Sequence, residues 1–412
     1  RVGDFLSSTT LFGWARQYLG MPDRPDLAVD AAGAGDLDAL RWLRGRAYID
    51  VGLTPLWRER VCGAAVEKGH LNVLQWLRAQ DPPCPWYEHT ISIAVKFGRQ
   101  EMLIWMRATD PPCPWDSHAC STAVWTDQIE ALLWLRAQDP PCPWNHRSCY
   151  WAARLGRLDV LQALRAPQPG GACPWNVQVW EAAAKAGHIH ILQYIQPYLV
   201  ASSELSLCTS ACVAAAEGGQ VATLEWLRAQ DPPCPWSRAA CTAAAKTGEL
   251  TTLQWLRAHG CQWSSMAVMY AAKGGHVDVL RWLRAQDPPC PWSRAACNAA
   301  AGAGCVPALE VLRCGPSRCR WDEEAATKAA EGGHLETLRW MRDLRCPWGV
   351  ESMVAAAKFG HLPVVEFMRA GEYPCSWDGR VTRAAAESGH VDVLRWLRAQ
   401  DPPCPESAAT RA

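Results

Sequence analysis

Alanine-rich runs along this chain give way, again and again, to a glycine and then to apolar residues spaced three or four apart. The segment around Gly248 shows the pattern. Ser237 is a good N-cap, because its hydroxyl can accept an orphan N–H of a first helical turn. Ala239 to Lys246 holds strong helix formers, and Gly248 supplies the left-handed residue that ends a helix. Leu250, Leu253 and Leu256 then make one apolar stripe of a second helix. Arg257 closes it, where a cation suits the negative end of the helix dipole. Elsewhere the following turn reads Asp-Pro-Pro-Cys-Pro, which cannot continue a helix. The pattern predicts two short helices and a proline-rich turn.

This unit recurs. Aligned on the residue after the alanine-rich run, the anchors are Gly35, Gly69, Gly98, Asp127, Gly156, Gly187, Gly219, Gly248, Gly275, Gly304, Gly333, Gly360 and Gly389. Their spacing, 27 to 34 residues, marks a solenoid or array of about thirteen units rather than a globular enzyme core. The repeat also explains why 24 Trp stand beside only 5 Phe and 8 Tyr. One Trp ends the turn, as at Trp236, where spacing pairs it with Cys241 as a hydrophobic staple. Another, such as Trp255, lies beside the leucine stripe and is expected to fill the space between units.

The run from Ala355 to Met368, and Ala-Lys-Gly-Gly-His-Val-Asp-Val-Leu-Arg-Trp-Leu at Ala272 to Leu283, resemble the helix–turn–helix signature of the ankyrin repeat. The Gly-His pair recurs at His70, His188, His276, His334, His361 and His390. Two features depart from that family: its Thr-Pro-Leu-His stretch is missing, and the period is mostly 27 to 29 instead of 33. The resemblance is to the divergent, Cys-Pro-Trp-rich variants of algae and large DNA viruses. It implies an all-α, ankyrin-like solenoid of helix pairs with shortened or absent β-hairpin fingers, and a function in protein–protein binding.

Residues 1–26 are expected to be a degenerate N-terminal cap containing a helix at Leu11 to Leu19. Residues 27–405 form the array and residues 406–412 a flexible tail. The rhythm breaks near 196–212, where Pro197 is expected to end a second helix early. The first residue is Arg rather than Met, and no further unit covers the last helix, so the chain reads as a fragment. No leader or membrane-spanning run is seen, which points to the cytoplasm or nucleus.

Lys plus Arg equals Asp plus Glu at 41 each, and the balance argues against a nucleic-acid or membrane partner. Twenty Cys in a chain without an export signal read as reduced thiols. Equivalent cysteines of stacked units lie too far apart to bridge, and no Cys-x-x-Cys pair exists. Cys-Pro turns ligate haem iron in some proteins, but here one repeating turn explains every copy. The histidines after glycine recur at one position and are expected to share a hydrogen bond or a helix-start role. Arg closes the second helix in twelve units; six have Asp three residues later and are expected to pair with it or to be solvated. No phosphate loop, carboxylate pair or nucleophile elbow appears, so no enzyme and no cofactor are expected.

Function is expected where units differ, in the first turn of the first helix. That nominates Glu88, His89, His118, His146, Arg147, Glu323, Glu324, Glu351 and Arg380 as contacts on a concave face. The reading is a monomeric, non-catalytic scaffold for another protein. The alternatives are a haem- or metal-responsive thiol protein, or the substrate-recruiting part of a ubiquitin-ligase adaptor whose effector domain lies outside this chain.

Overall fold

The local signals of the repeat are met atom by atom. In a computed structural model, the Ser237 hydroxyl accepts from the backbone N–H of Ala239 at 3.2 Å and starts the helix Arg238–Thr247. Gly248 follows at φ 83°, and the N–H of Glu249 returns to the Ala244 carbonyl at 2.9 Å. The second helix, Leu250–Ala258, begins at once. Its end is tied to the turn by the N–H of Cys261 bonding to the Leu256 carbonyl at 2.9 Å.

The structure describes residues 27–47, 59–166, 171–174, 176–200, 205–314, 318–370, 374–400 and 403–405. Among these are 26 helices in thirteen consecutive pairs, and no strand. The protein is therefore an all-α helical-pair repeat array. The turns run on in extended or irregular backbone, and the Asp–Pro bond is cis in five of them. The expected N-terminal cap, with its helix at Leu11 to Leu19, and the tail at 406–412 lie outside the described residues. The expected early stop at Pro197 is not found: Pro197 lies inside the helix Ile189–Val200. A proline removes one helical hydrogen bond without forbidding helical dihedrals to the residues after it.

The chain divides into two units, residues 1–179 and 180–412. In the first, the first helices Leu27–Ala34, Glu59–Lys68, Glu88–Lys96, Ser117–Trp125 and His146–Arg154 each pack on the next. In the second unit the same stacking runs from Leu205–Glu217 to Gly379–Glu387. First helices touch one another more extensively than second helices do, because alanine keeps their facing sides small. Ala240, Ala244 and Ala245 are fully buried, as are Leu253 and Leu256 beneath them. The closest approach needs glycine: a Cβ on Gly218 would lie 1.9 Å from the Lys185 carbonyl oxygen.

The recurring histidines do share one task. Nε2 of His276 lies 2.9 Å from the Lys246 carbonyl oxygen, and His334, His361 and His390 reach Gly302, Glu331 and Lys358 in the same way. Each ties the start of a second helix to the carbonyl end of the preceding unit's first helix, satisfying an acceptor that a helix end leaves orphaned. Arg99 does this in the first unit, donating to the Glu67 carbonyl at 3.2 Å.

The arginines that close the second helices are also structural. Arg78 donates to the Cys84 carbonyl at 2.6 Å and lies 3.9 Å over the Trp86 ring. The Trp86 ring meets Trp105 of the next unit nearly edge-on, with centroids 6.1 Å apart. The sets Arg257, Trp263, Trp282 and Arg313, Trp321, Trp340 repeat this. At Arg78 the guanidinium is held by a carbonyl and an indole, instead of pairing with Asp81 or standing in solvent as expected. A cation on a ring of this kind contributes about 0.5–2 kcal/mol.

Candidate aromatic and cationic surface

Among the described residues the thiols belong to the packing, except the half-buried Cys305 and the exposed Cys314, neither of which is followed by proline. Cys84, Cys113 and Cys142 are fully buried, and the Cys142 thiol donates to the Asp116 carbonyl at the start of its own unit at 3.4 Å. Cys62, Cys120, Cys149, Cys241 and Cys297 are also fully buried, and Cys62 directs its thiol at the Cys84 carbonyl. Sulfur atoms facing backbone in a closed core are not presented to a haem, so the thiol-sensor alternative is set aside. Among the described residues, no group of three or more His, Cys, Asp or Glu is arranged to hold a metal ion.

Burial pushes the Cys113, Cys290 and Cys346 thiols up from 9.0 to about 12. The unfolded chain loses these protons near pH 9, whereas the folded array keeps them until about pH 12. Their stabilising contribution is therefore complete below pH 9 and is lost as pH rises towards 12, by about 1.4 kcal/mol per thiol per pH unit. Denaturant midpoints under reducing conditions should fall steadily from pH 9 to pH 11, and less steeply in a variant with alanine at all three positions. Equal slopes in the two proteins would refute the assignment.

The nominated contact residues sit where the sequence puts them, in first turns. In the first unit Glu88 and His89 open Glu88–Lys96, and His118 follows the capping Asp116. His146 and Arg147 open His146–Arg154. All are exposed except the half-buried His146. In the second unit Glu323, Glu324, Glu351 and Arg380 are exposed as well. Arg380 pairs with Glu351 and with Asp378, which satisfies its charge within the protein.

The opposite ends of the first helices carry a more concentrated chemistry. In the first unit Lys96 and Trp125 end their helices, and Phe97 follows Lys96. Phe97 is 39% and Trp125 45% exposed. The Lys96 ammonium lies 5.0 Å over the Phe97 ring and 5.9 Å from the Trp125 ring. Trp125 meets Trp151 of the next unit with centroids 5.8 Å apart, and Tyr150 stands edge-on to Trp151 at 5.2 Å. Arg154 lies 6.0 Å over the Trp151 ring. A run of rings across three successive repeats is thus flanked by a cation at each end, Lys96 and Arg154.

Packing does not require this. The positions equivalent to Trp125 hold Lys96, Arg154, Lys185, Glu217 and Lys246 in other units, and the fold is the same. The second unit shows a neutralised version, where Glu217 accepts from Lys185 at 2.9 Å and from Lys246 at 3.3 Å. Sequence reasoning missed the surface, although a signal was present. Trp125 and Trp151 lie on first helices, whereas nearly every other Trp lies in a turn or on a second helix.

No family model matches the chain, and no curated protein matches it. The solved structures similar to this chain include two of a pentatricopeptide repeat protein in complex with an 18-nucleotide psaJ RNA element, one carrying three cysteine-to-serine substitutions. Each is 14% identical with a TM-score of 0.37, and the match covers 94% of this chain and 60% of that one. This chain therefore spans less than two thirds of those proteins.

Neither structure is an ankyrin-repeat protein, and the ankyrin identification is withdrawn. The residues that suggested it are what a tight helical hairpin demands: alanine for close approach, glycine for a left-handed turn, histidine for an orphan carbonyl. Such demands are common to many helical-pair repeats. The protein partner, the ligase alternative and the exclusion of nucleic acid go with it. Net charge could not carry that exclusion, because it sums the whole surface, whereas a ligand meets only a local patch. A TM-score of 0.37 leaves open what this chain binds. No helix among the described residues is long and apolar enough to cross a membrane.

Proposed function

We propose that this protein binds single-stranded nucleic acid on the ring-and-cation surface of its first unit. The observation that carries the reading is the exposure of Phe97 and Trp125, with Trp151, between Lys96 and Arg154. Exposed aromatic faces cost solvation and are retained here without a packing task. Bases stack on such faces whatever their identity, at about 1–3 kcal/mol each. Duplexes are a poor match, because their bases are already stacked and their edges lie within the grooves. Lys96 and Arg154 supply charge for phosphates beside the rings. The arginines that close the second helices, such as Arg78, Arg107 and Arg136, are committed to turn carbonyls, so affinity should come from stacking more than from charge.

The test is tryptophan-fluorescence and anisotropy titration with single-stranded RNA, with DNA of the same sequence and a duplex for comparison. The solved complexes suggest RNA as the ligand to try first but are not a reason for the reading. Single strands should bind and duplexes should bind at least about tenfold more weakly. With two phosphates neutralised, log K should fall with log salt at a slope of about −1.4. Equal affinity for duplex and single strand, or no quenching of the indoles, would refute the proposal.

A further inference from the structure

We infer that Asp127 makes this surface selective for guanine. The inference rests on the single-strand reading above. Asp127 stands two residues past Trp125, at the same helix end, where the other twelve units have glycine. Its φ is 59°, in the left-handed region that favours glycine. Its carboxylate is 64% exposed and accepts from Arg157 of the next unit. Arg157 does not depend on it, because Asp159 binds the same guanidinium through Nε at 3.2 Å and Nη2 at 3.1 Å. Asp127 is thus the replaceable partner, and an exposed pair of this kind contributes little to the fold.

The chemistry points to one base. An ionised carboxylate is a pure acceptor with two oxygens side by side. On its Watson–Crick edge guanine presents two adjacent donors, N1–H and the N2 amino group. Adenine and cytosine set one donor beside an acceptor, and uracil sets its single donor between two acceptors. A guanine stacked at Trp125 is the base whose edge satisfies both oxygens of Asp127. A paired contact of this type is worth about a 5- to 150-fold preference.

The experiment compares oligouridine with the same strand carrying one central guanine, adenine or cytosine, by fluorescence anisotropy. The natural protein should bind the guanine strand about tenfold tighter than the other three. Asp127→Gly installs the residue of the other twelve units, so the melting temperature should hold or rise. Its affinity for oligouridine should be kept, while the guanine preference falls to within about twofold. Asp127→Asn, with one acceptor exchanged for a donor, should lose the guanine preference too and favour adenine. If the natural protein shows no guanine preference, or Asp127→Gly keeps it, the inference is overturned. Binding that depends on Trp125 but ignores guanine sinks Asp127 alone. Absence of binding to every strand sinks the single-strand reading and the inference together.

Discussion

Replacing Trp125 and Trp151 together by alanine should weaken single-strand binding by at least about 30-fold, since each ring supplies about 1–3 kcal/mol of base stacking. The size of the effect follows from exposure. Trp125 keeps 45% of its surface open and meets its neighbours Lys96 and Trp151 by proximity rather than enclosure. Its removal leaves no cavity, so thermal stability should fall by no more than about 1 kcal/mol. The double variant separates the surface from the scaffold. Helical content by circular dichroism should match the natural protein while the titration collapses. Affinity within twofold of natural would mean that the rings are not the platform. Lys96→Ala should act through a different term, lowering the salt slope by about 0.7 with a smaller loss of affinity.

The second large effect is on stability. Leu253→Ala should cost about 2–5 kcal/mol, because Leu253 is fully buried beneath first helices packed too closely to collapse onto the space it leaves. Neighbouring Gln254 points to solvent, and its alanine variant should stay within about 0.5 kcal/mol. In a repeat array each unit draws its stability from its neighbours, so the loss should spread to the adjoining pairs. Hydrogen exchange would show protection falling first between Ser237 and Lys273 and last in distant units. A cost below about 1 kcal/mol would mean that the leucine stripe is not the core of the second helices.

Much of the framework could be read from single residues. Gly248 needs a left-handed backbone, Ser237 offers an N-cap, and both do so through local chemistry that no neighbour alters. The repeated histidine was legible as one shared hydrogen bond because identical units pose identical problems. The arginine closing each second helix was not. In six units an aspartate three residues later suggested an ion pair or a solvated charge, whereas at Arg78 the turn carries a carbonyl and an indole to it. The nominated contacts at Glu88, His118 and Arg380 lie in first turns, where Arg380 is already paired with Glu351 and Asp378. The surface of Phe97, Trp125 and Trp151 combines residues that are 26 to 28 apart in the chain.

By itself the sequence determined the helix pairs, most of their starts and stops and the sides they bury, because these follow from backbone dihedrals, capping groups and the period of apolar residues; the stop expected at Pro197 was the exception. Only the tertiary structure decided which end of the first helices gathers exposed rings and cations, and which charges are already committed to turns. Those properties depend on which side chains of separate units meet across the stack, a distance that sequence spacing does not encode.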